Sequence, residues 1–277
     1  MARSRLSLLN ISVTYFLLII GSIIMLFPFF WMVLTSFKTF PETLQVPIVW
    51  FPETWSLDNY VEVLREMNFL TYYKNSIIVT VTGVSLCMFF CSLAAYTFAR
   101  MRFFGKDVLF FILLSTFMVP AQMTLIPRFM LINAFGWIDT YQAMIVPTIF
   151  SVYTIFMLRQ SFINLPREVE DSGKIDGCSF FRLYWNIMLP MAKSGLVAIG
   201  VLNVLFSWNN LLWPLIVVNT NKMRVLSIAV AAFHGQYYTK LNLLMAVGVV
   251  VTLPMLVLYI IGQRHFISGI AFSGLKG

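Results

Sequence analysis

Charged residues fall at a few widely spaced places in this chain, and long apolar stretches run between them. Six stretches, 11–34, 75–99, 108–129, 140–158, 195–218 and 241–262, contain one charge in all, Arg128 near the end of the third. About 20 residues of helix cross the ~30 Å hydrocarbon core of a bilayer, so each stretch predicts a membrane span. The first stretch follows Arg3 and Arg5, but it is longer than a signal-peptide core and has no cleavage site after it. It reads as a retained anchor.

Composition agrees. Of the 277 residues 60% are hydrophobic and only 11% charged, and the mean hydropathy is +0.85. A soluble globular domain carries roughly 25% charged residues, so most of this surface has lipid as its solvent. A cytosolic enzyme, a secreted disulfide scaffold and a disordered tail are excluded together. The net charge of +8 is not gathered into a basic stripe, which argues against nucleic acid as a partner. With the N-terminus inside, the connections on that face hold twelve of the nineteen Lys and Arg residues. The positive-inside rule therefore predicts both termini in the cytoplasm.

The three cysteines, Cys87, Cys91 and Cys178, form no C-x-x-C pair, and Cys87 and Cys91 read as small hydrophobes on one helix face. His234 and His265 have no metal-ligand companion at useful spacing. No metal site is expected.

Two connections exceed a turn. Segment 36–74 carries an aromatic and proline-rich stretch, Trp50 to Trp55, and then an amphipathic run to Met67. Segment 159–193 interrupts two apolar spans with a polar helix. Pro166 suits its first turn, and Glu168, Glu170 and Asp171 favour the positive end of its dipole. Gly173 and Gly177 are four apart, as on one helical face, with Ser172 and Cys178 close by and Val169, Ile175 and Phe180 as apolar grip. Such a face suits close docking on another protein; a solvated loop with an acidic helix start is the plainer reading.

The loop also resembles the cytoplasmic Glu-Ala-Ala loop of ATP-binding-cassette (ABC) importer permeases. Asp171, Ser172 and Gly173 stand for Glu-Ala-Ala, Gly177 follows after three residues, and nine more lead to Ile187 with Leu189 and Pro190; Asp176 lies within the same turn. The departures, Asp for Glu and Ser and Gly for Ala, keep small size, although Gly costs about 1 kcal/mol against Ala inside a helix. Leu57 to Tyr60, Tyr72 to Ser76, Ala95 to Arg100, Ile126 with Pro127, Trp208 to Asn210 with Pro214, and the stretch 269–277 resemble the carbohydrate-uptake branch. The chain resembles the smaller six-span permease of maltose-type transporters; Asn210 departs, standing where an acidic residue is common.

The resemblance implies an all-α, polytopic type I importer permease with six transmembrane helices in a cell membrane. It implies a second permease subunit as heterodimer partner, two cytoplasmic ATPase subunits docked through loop 166–179, and an extracellular sugar-binding protein. ATP and Mg would be bound by the ATPases, with no cofactor in this chain. Gly105-Lys106 and Gly173-Lys174 have Arg100 and Glu168 where a P-loop needs its first Gly, in line with a transporter subunit that is not an enzyme. The tail 264–277 would reach between the ATPases.

Polar residues inside spans are functional candidates. Asn203, Ser207 and Asn210 recur at helical spacing, with Trp208 and Asn209 adjoining. Amides beside an indole suit a sugar, and interhelical bonding to the partner permease suits them equally. Pro120, Gln122, Thr124 and Pro127 predict a broken third span with freed backbone groups facing a cavity. The near absence of basic residues from the spans points to a neutral oligosaccharide. Arg128 keeps an acidic sugar open, with snorkelling to the interface as the other reading. In the outer loop 219–240, Lys222, Arg224 and Lys240 could steer an acidic partner, while Gln236, Tyr237 and Tyr238 suit either contact with the binding protein or an interfacial aromatic girdle. A secondary carrier for a small solute is the alternative function. It lacks the central acidic residue that ion coupling needs.

Overall fold

The computed structural model describes residues 2–66, 68–236 and 240–274. These residues form helices and turns, with no strand among them. In chain order the helices are α1 (Ala2–Ser36), α2 (Phe40–Leu44), α3 (Asp58–Glu66), α4 (Phe69–Arg100), α5 (Lys106–Phe117), α6 (Leu125–Ala134), α7 (Tyr141–Ile145) and α8 (Val152–Ile163). They continue as α9 (Arg167–Ile175), α10 (Phe180–Leu183), α11 (Leu189–Met191), α12 (Lys193–Trp208), α13 (Leu212–Val217), α14 (Leu226–Gln236) and α15 (Leu241–Gly274).

Among the described residues three continuous helical stretches, Ile11–Ser36, Phe69–Arg100 and Leu241–Ile261, are long and apolar enough to cross a bilayer. The others are bent pairs, which makes up to six spans. Lys106–Phe117 and Ala121–Ala134 meet at 93°, where Pro120 supplies no N–H to the turn before it. Tyr141–Thr148 and Val152–Ile163 meet at 44°, and the Ser151 hydroxyl caps the second by accepting from Thr154 N–H at 3.2 Å. Phe180–Met191 and Lys193–Trp208 meet at 79°.

The expected single span 195–218 is corrected. Its helix stops at Trp208, and α13 begins at Leu212. Asn210 governs the break: its Oδ1 accepts from Trp213 N–H at 3.5 Å, and its carbonyl accepts from the Ser227 hydroxyl at 2.8 Å. Asn amides compete with the backbone for such bonds, which is why they interrupt helices. The apolar run hides the break because its residues remain apolar on both sides of it. At the other end of the chain, helix α15 continues past the expected end of the sixth span at 262 to Gly274; residues 275–277 lie outside the described residues.

The chain divides into two compact units, Met1–Phe69 with Val230–Leu253, and Leu70–Ala229 with Pro254–Gly277. In the first, the long connection after α1 is a tied platform. Asn59 Nδ2 donates to the carbonyls of Ser36 and Lys38, each at 2.8 Å, and Asn59 Oδ1 accepts from Asn242 at 2.6 Å. Lys38 is buried, lies 4.1 Å from the Trp31 ring centroid and donates to the Val49 carbonyl. Glu42 accepts from the backbone amides of Thr39 and Glu53 at 2.6 and 2.9 Å. Burial opposes the Glu42 carboxylate, but those bonds and Lys38 outweigh it and hold the group below its ordinary pKa.

The second unit is built around α4. Cys87, Cys91, Ala95 and Tyr96 pack with Ile155, Leu158 and Phe162 of α8 and with Tyr184 and Met188. Among lipid tails apolar burial gives little drive between helices, so packing and interhelical hydrogen bonds, ~0.6 kcal/mol each on average, hold such a bundle. Ser92 and Tyr184 share one at 2.7 Å, and the Trp213 indole donates to the Ala143 carbonyl at 2.8 Å.

Candidate coupling helix and translocation cavity

Helix α9 follows Pro166, whose extended ψ ends the preceding chain, and carries Glu168 and Glu170 in its first turn. Its inner face is Glu170 and Gly173, both buried. A Cβ at Gly173 would lie 2.5 Å from Leu183 Cδ2 and 3.1 Å from Ile187 Cδ1. The small residue thus lets α9 pack on the next helical segment of its own chain. Glu170 is held by Lys174 at 2.9 Å and by Arg100, from the end of α4, at 3.7 Å. Arg100 also donates to the carbonyls of Phe162 and Leu165, so one guanidinium ties α4, the end of α8 and α9 together. Lys174 is raised above its ordinary pKa, first by its bond to Glu170; burial opposes this, and the charges of Glu170 and Asp171 add to the rise.

The expected shared face of Gly173 and Gly177 is not formed. Gly177 lies beyond the helix at φ +77°, with open space where a Cβ would be. Its N–H bonds to the Lys174 carbonyl at 3.0 Å, and Cys178 N–H bonds to the Gly173 carbonyl at 2.9 Å. That pair of bonds is the Schellman ending, which needs a left-handed residue at this place. Gly177 terminates the helix, and Gly173 faces inward.

The outward face is Glu168, Asp171, Ser172 and Ile175, all exposed, as is Asp176. Ile175 is 87% exposed. Ile187 and Leu189 pack against the core of the second unit. Ile187 lies in a π-helical stretch, Tyr184–Met188, adjoining Pro190, which cannot donate to the turn before it. The Ile-Leu-Pro end of the motif therefore supports α9 from within.

The second unit also holds a half-open cavity of about 1090 Å³. Asn203, Ser207, Trp208 and Asn210 line it together with Thr80, Thr124, Arg128 and Tyr153. Gln122 and Asn209 do not: both are exposed outside the lining, and Asn209 Nδ2 bonds back to the Leu205 carbonyl at 2.9 Å. Asn203 accepts from Thr154 at 3.1 Å and Ser207 donates to Thr80 at 3.3 Å, so both join helices within this chain. Arg128 stands over Trp213, 5.2 Å from the ring centroid, at the cavity wall. In the 219–240 connection, Asn75 Nδ2 donates to the carbonyls of Lys222 and Arg224 at 2.8 and 2.9 Å, fixing that turn to α4. Gln236 closes α14, while Tyr237 and Tyr238 lie outside the described residues.

Sequence reasoning missed the Arg100–Glu170 tie, because a cation ending one apolar span gives no sign of which carboxylate it meets. The Asn75 clamp was also missed; a lone Asn at the head of an apolar run was its only signal.

Bent helices around a mostly apolar cavity that a few polar side chains enter, in a chain of long apolar helices, define a multi-pass membrane permease. The chain belongs to the family described as "Binding-protein-dependent transport system inner membrane component", which matches residues 88–271. It is 33% identical over 257 residues to the arabinooligosaccharides transport system permease protein AraQ of Halalkalibacterium halodurans, covering 92% of each chain. It is 33% identical over 275 residues to the trehalose/maltose transport system permease protein MalG of Thermococcus litoralis, covering 94% of this chain and 96% of that one. A chain from the crystal structure of a bacterial ABC transporter involved in the import of the acidic polysaccharide alginate superposes with a TM-score of 0.81 at 23% identity, covering 92% of this chain and 95% of that chain. The fold is shared with that chain.

Proposed function

We propose that this chain is the permease subunit of an ATP-driven, binding-protein-dependent oligosaccharide importer, forming the path with a second permease and coupled to two cytoplasmic ATPases through α9. The observation that carries the coupling assignment is the two-faced helix. Glu170 and Gly173 fasten it to its own chain, while Glu168, Asp171, Ser172 and the 87% exposed Ile175 face outward. An apolar tip ringed by carboxylates suits a cleft with an apolar floor and a basic rim. A rigidly held helix passes on the motion of an ATPase as a displacement of α4 and α8, to which Arg100 binds it. The substrate class rests on relatives named for arabinooligosaccharides, diacetylchitobiose, lactose and trehalose/maltose.

Co-purification tests the reading. The tagged chain is expected to bring down a second permease and an ATPase, and Ile175→Glu to release the ATPase while the second permease stays. Retention of the ATPase by Ile175→Glu, with sugar-stimulated hydrolysis intact, removes α9 as the docking element. A chain that purifies alone and transports without ATP removes the importer reading.

A further inference from the structure

The cavity wall is unbalanced in its hydrogen bonding. Many of its polar groups are already satisfied inside the chain: Asn203 by Thr154 and the Ile199 carbonyl, Ser207 by Thr80, Ser227 by the Asn210 carbonyl. Prominent among those left over are donors. Trp208 is 7% exposed, and its buried Nε1–H has no acceptor. Asn210 uses its Oδ1 on Trp213 N–H, which leaves its NH2. The guanidinium of Arg128 has no hydrogen bond or ion pair among the described residues, only the Trp213 ring at 5.2 Å. No Asp or Glu is among the lining residues.

The Trp213 platform is fixed. Its ring is buried, and its Nε1–H is held by the Ala143 carbonyl at 2.8 Å. One face of the guanidinium is thus engaged by a rigid indole, which leaves the in-plane fork of N–H groups for an anion. Guanidinium keeps its proton, carries five donors and accepts nothing. A neutral sugar brings hydroxyls that can accept from the fork but carry no charge, and so leave the cation uncompensated. A carboxylate brings two acceptor oxygens at the spacing of the fork.

Resting on the reading of this chain as an oligosaccharide permease, we propose that Arg128 is a specificity-determining residue that receives a carboxylate of the sugar, so that the transporter carries uronate-containing oligosaccharides. The Asn210 amide NH2 adds a donor for the same acceptor-rich ligand.

The test uses the assembled transporter with its second permease, ATPases and binding protein in proteoliposomes. Labelled trigalacturonate, triglucuronate and trimannuronate are each compared with their methyl esters, which keep the rings and lose the charges. Uptake of at least one acid is expected to exceed that of its ester by about ten-fold, the scale of one charge-assisted bond. Arg128→Gln should bring that ratio below about two-fold, and Arg128→Lys should leave an intermediate ratio because it keeps charge without the fork. Esters carried as fast as acids, uptake of neutral sugars alone, or an unchanged ratio in Arg128→Gln each overturn the proposal. Loss of the second permease on purification of Arg128→Gln, but not of Arg128→Lys, assigns the charge to the subunit interface and also overturns it. Neutral sugars that stimulate ATP hydrolysis when no acid does leave the importer reading standing while removing the role of Arg128. Failure of every sugar to stimulate hydrolysis removes both.

Discussion

Arg100 Nη1 lies 3.7 Å from Glu170 Oε2, and the two side chains are 4% and 6% exposed. One residue ends a long transmembrane helix and the other faces inward from the helix proposed to meet the ATPase. Lys174 sits on the remaining side of the carboxylate at 2.9 Å. With Arg100 gone the carboxylate keeps Lys174, but the Phe162 and Leu165 carbonyls lose their donor, at about 1–3 kcal/mol for each buried group left unpaired. Arg100→Met is therefore expected to lower the thermal stability of the purified complex strongly. The milder Glu170→Gln keeps the shape and can still accept from Arg100. It should preserve co-purification of the ATPase while weakening the sugar dependence of ATP hydrolysis. Unchanged sugar dependence in Glu170→Gln would mean that the tie is structural only.

Gly177 separates helix termination from docking. Any L-residue at φ +77° carries roughly 1–2 kcal/mol of backbone cost. Gly177→Ala and Gly177→Trp share that cost, since open space surrounds the position in this chain. Gly177→Ala is expected to retain most sugar-stimulated hydrolysis, and Gly177→Trp to lose nearly all of it if an ATPase surface lies opposite. Equal losses in the two variants would attribute the whole effect to the helix ending.

Much of this was legible in the sequence, and the part that was not has a physical reason. Hydropathy places the six apolar stretches because a bilayer imposes one length on every crossing. Pro120 announces the sharp bend in the third. The stop at Trp208 was not legible, since it depends on Asn210 reaching Trp213 and on Ser227 reaching back across the fold. Sequence spacing put Gly173 and Gly177 on one face, as an unbroken helix would. The left-handed turn at Gly177 moves it off that face, and spacing alone does not distinguish a helix interior from a helix end. Gln122 and Asn209 lie outside the lining of that cavity for a similar reason: being polar inside an apolar run does not say which way a residue points at a break.

Asp139 provides a pH dependence of known sign. It sits at φ +62° and accepts from the backbone amides of Asn219 and Thr220, each at 3.0 Å, and from the Thr220 hydroxyl at 2.6 Å. Burial opposes its charge, but these three bonds outweigh it and hold the carboxyl below its ordinary pKa. A depressed carboxyl stabilises fully above its unfolded value, and the contribution disappears as pH falls through the lower folded value. The 219–220 turn should therefore stay closed at neutral pH and open only below the usual carboxylate range. Asp139→Asn tolerates the backbone and removes the charge, for a loss of about 1 kcal/mol that water screening keeps small. Hydrogen exchange at the Asn219 and Thr220 amides, corrected for intrinsic rates, should quicken in the variant and lose its acid dependence. Exchange equal to the parent at neutral pH would show that the charge contributes nothing to the clamp.

The final prediction concerns the same turn from its other side. Asn75 is 2% exposed and accepts from the Tyr141 hydroxyl at 2.6 Å while donating to the carbonyls of Lys222 and Arg224. Ser76 next to it accepts from Leu226 N–H at 2.7 Å. Two adjacent residues of α4 thus set the pose of a turn whose cations are expected to face a binding protein. An Asp at 75 would still accept from Tyr141 but could not donate, and its charge would face two carbonyl oxygens. Asn75→Asp should therefore be worse than Asn75→Ala, which merely leaves the carbonyls unpaired at about 1–3 kcal/mol. Both variants should still assemble with the ATPase, because α9 and Arg100 are untouched. Uptake of sugar delivered by the binding protein should fall in the order parent, Asn75→Ala, Asn75→Asp, and the half-saturating concentration of binding protein should rise in the same order. If uptake falls while that concentration stays constant, the clamp serves the cavity and the turn plays no part in receiving the partner.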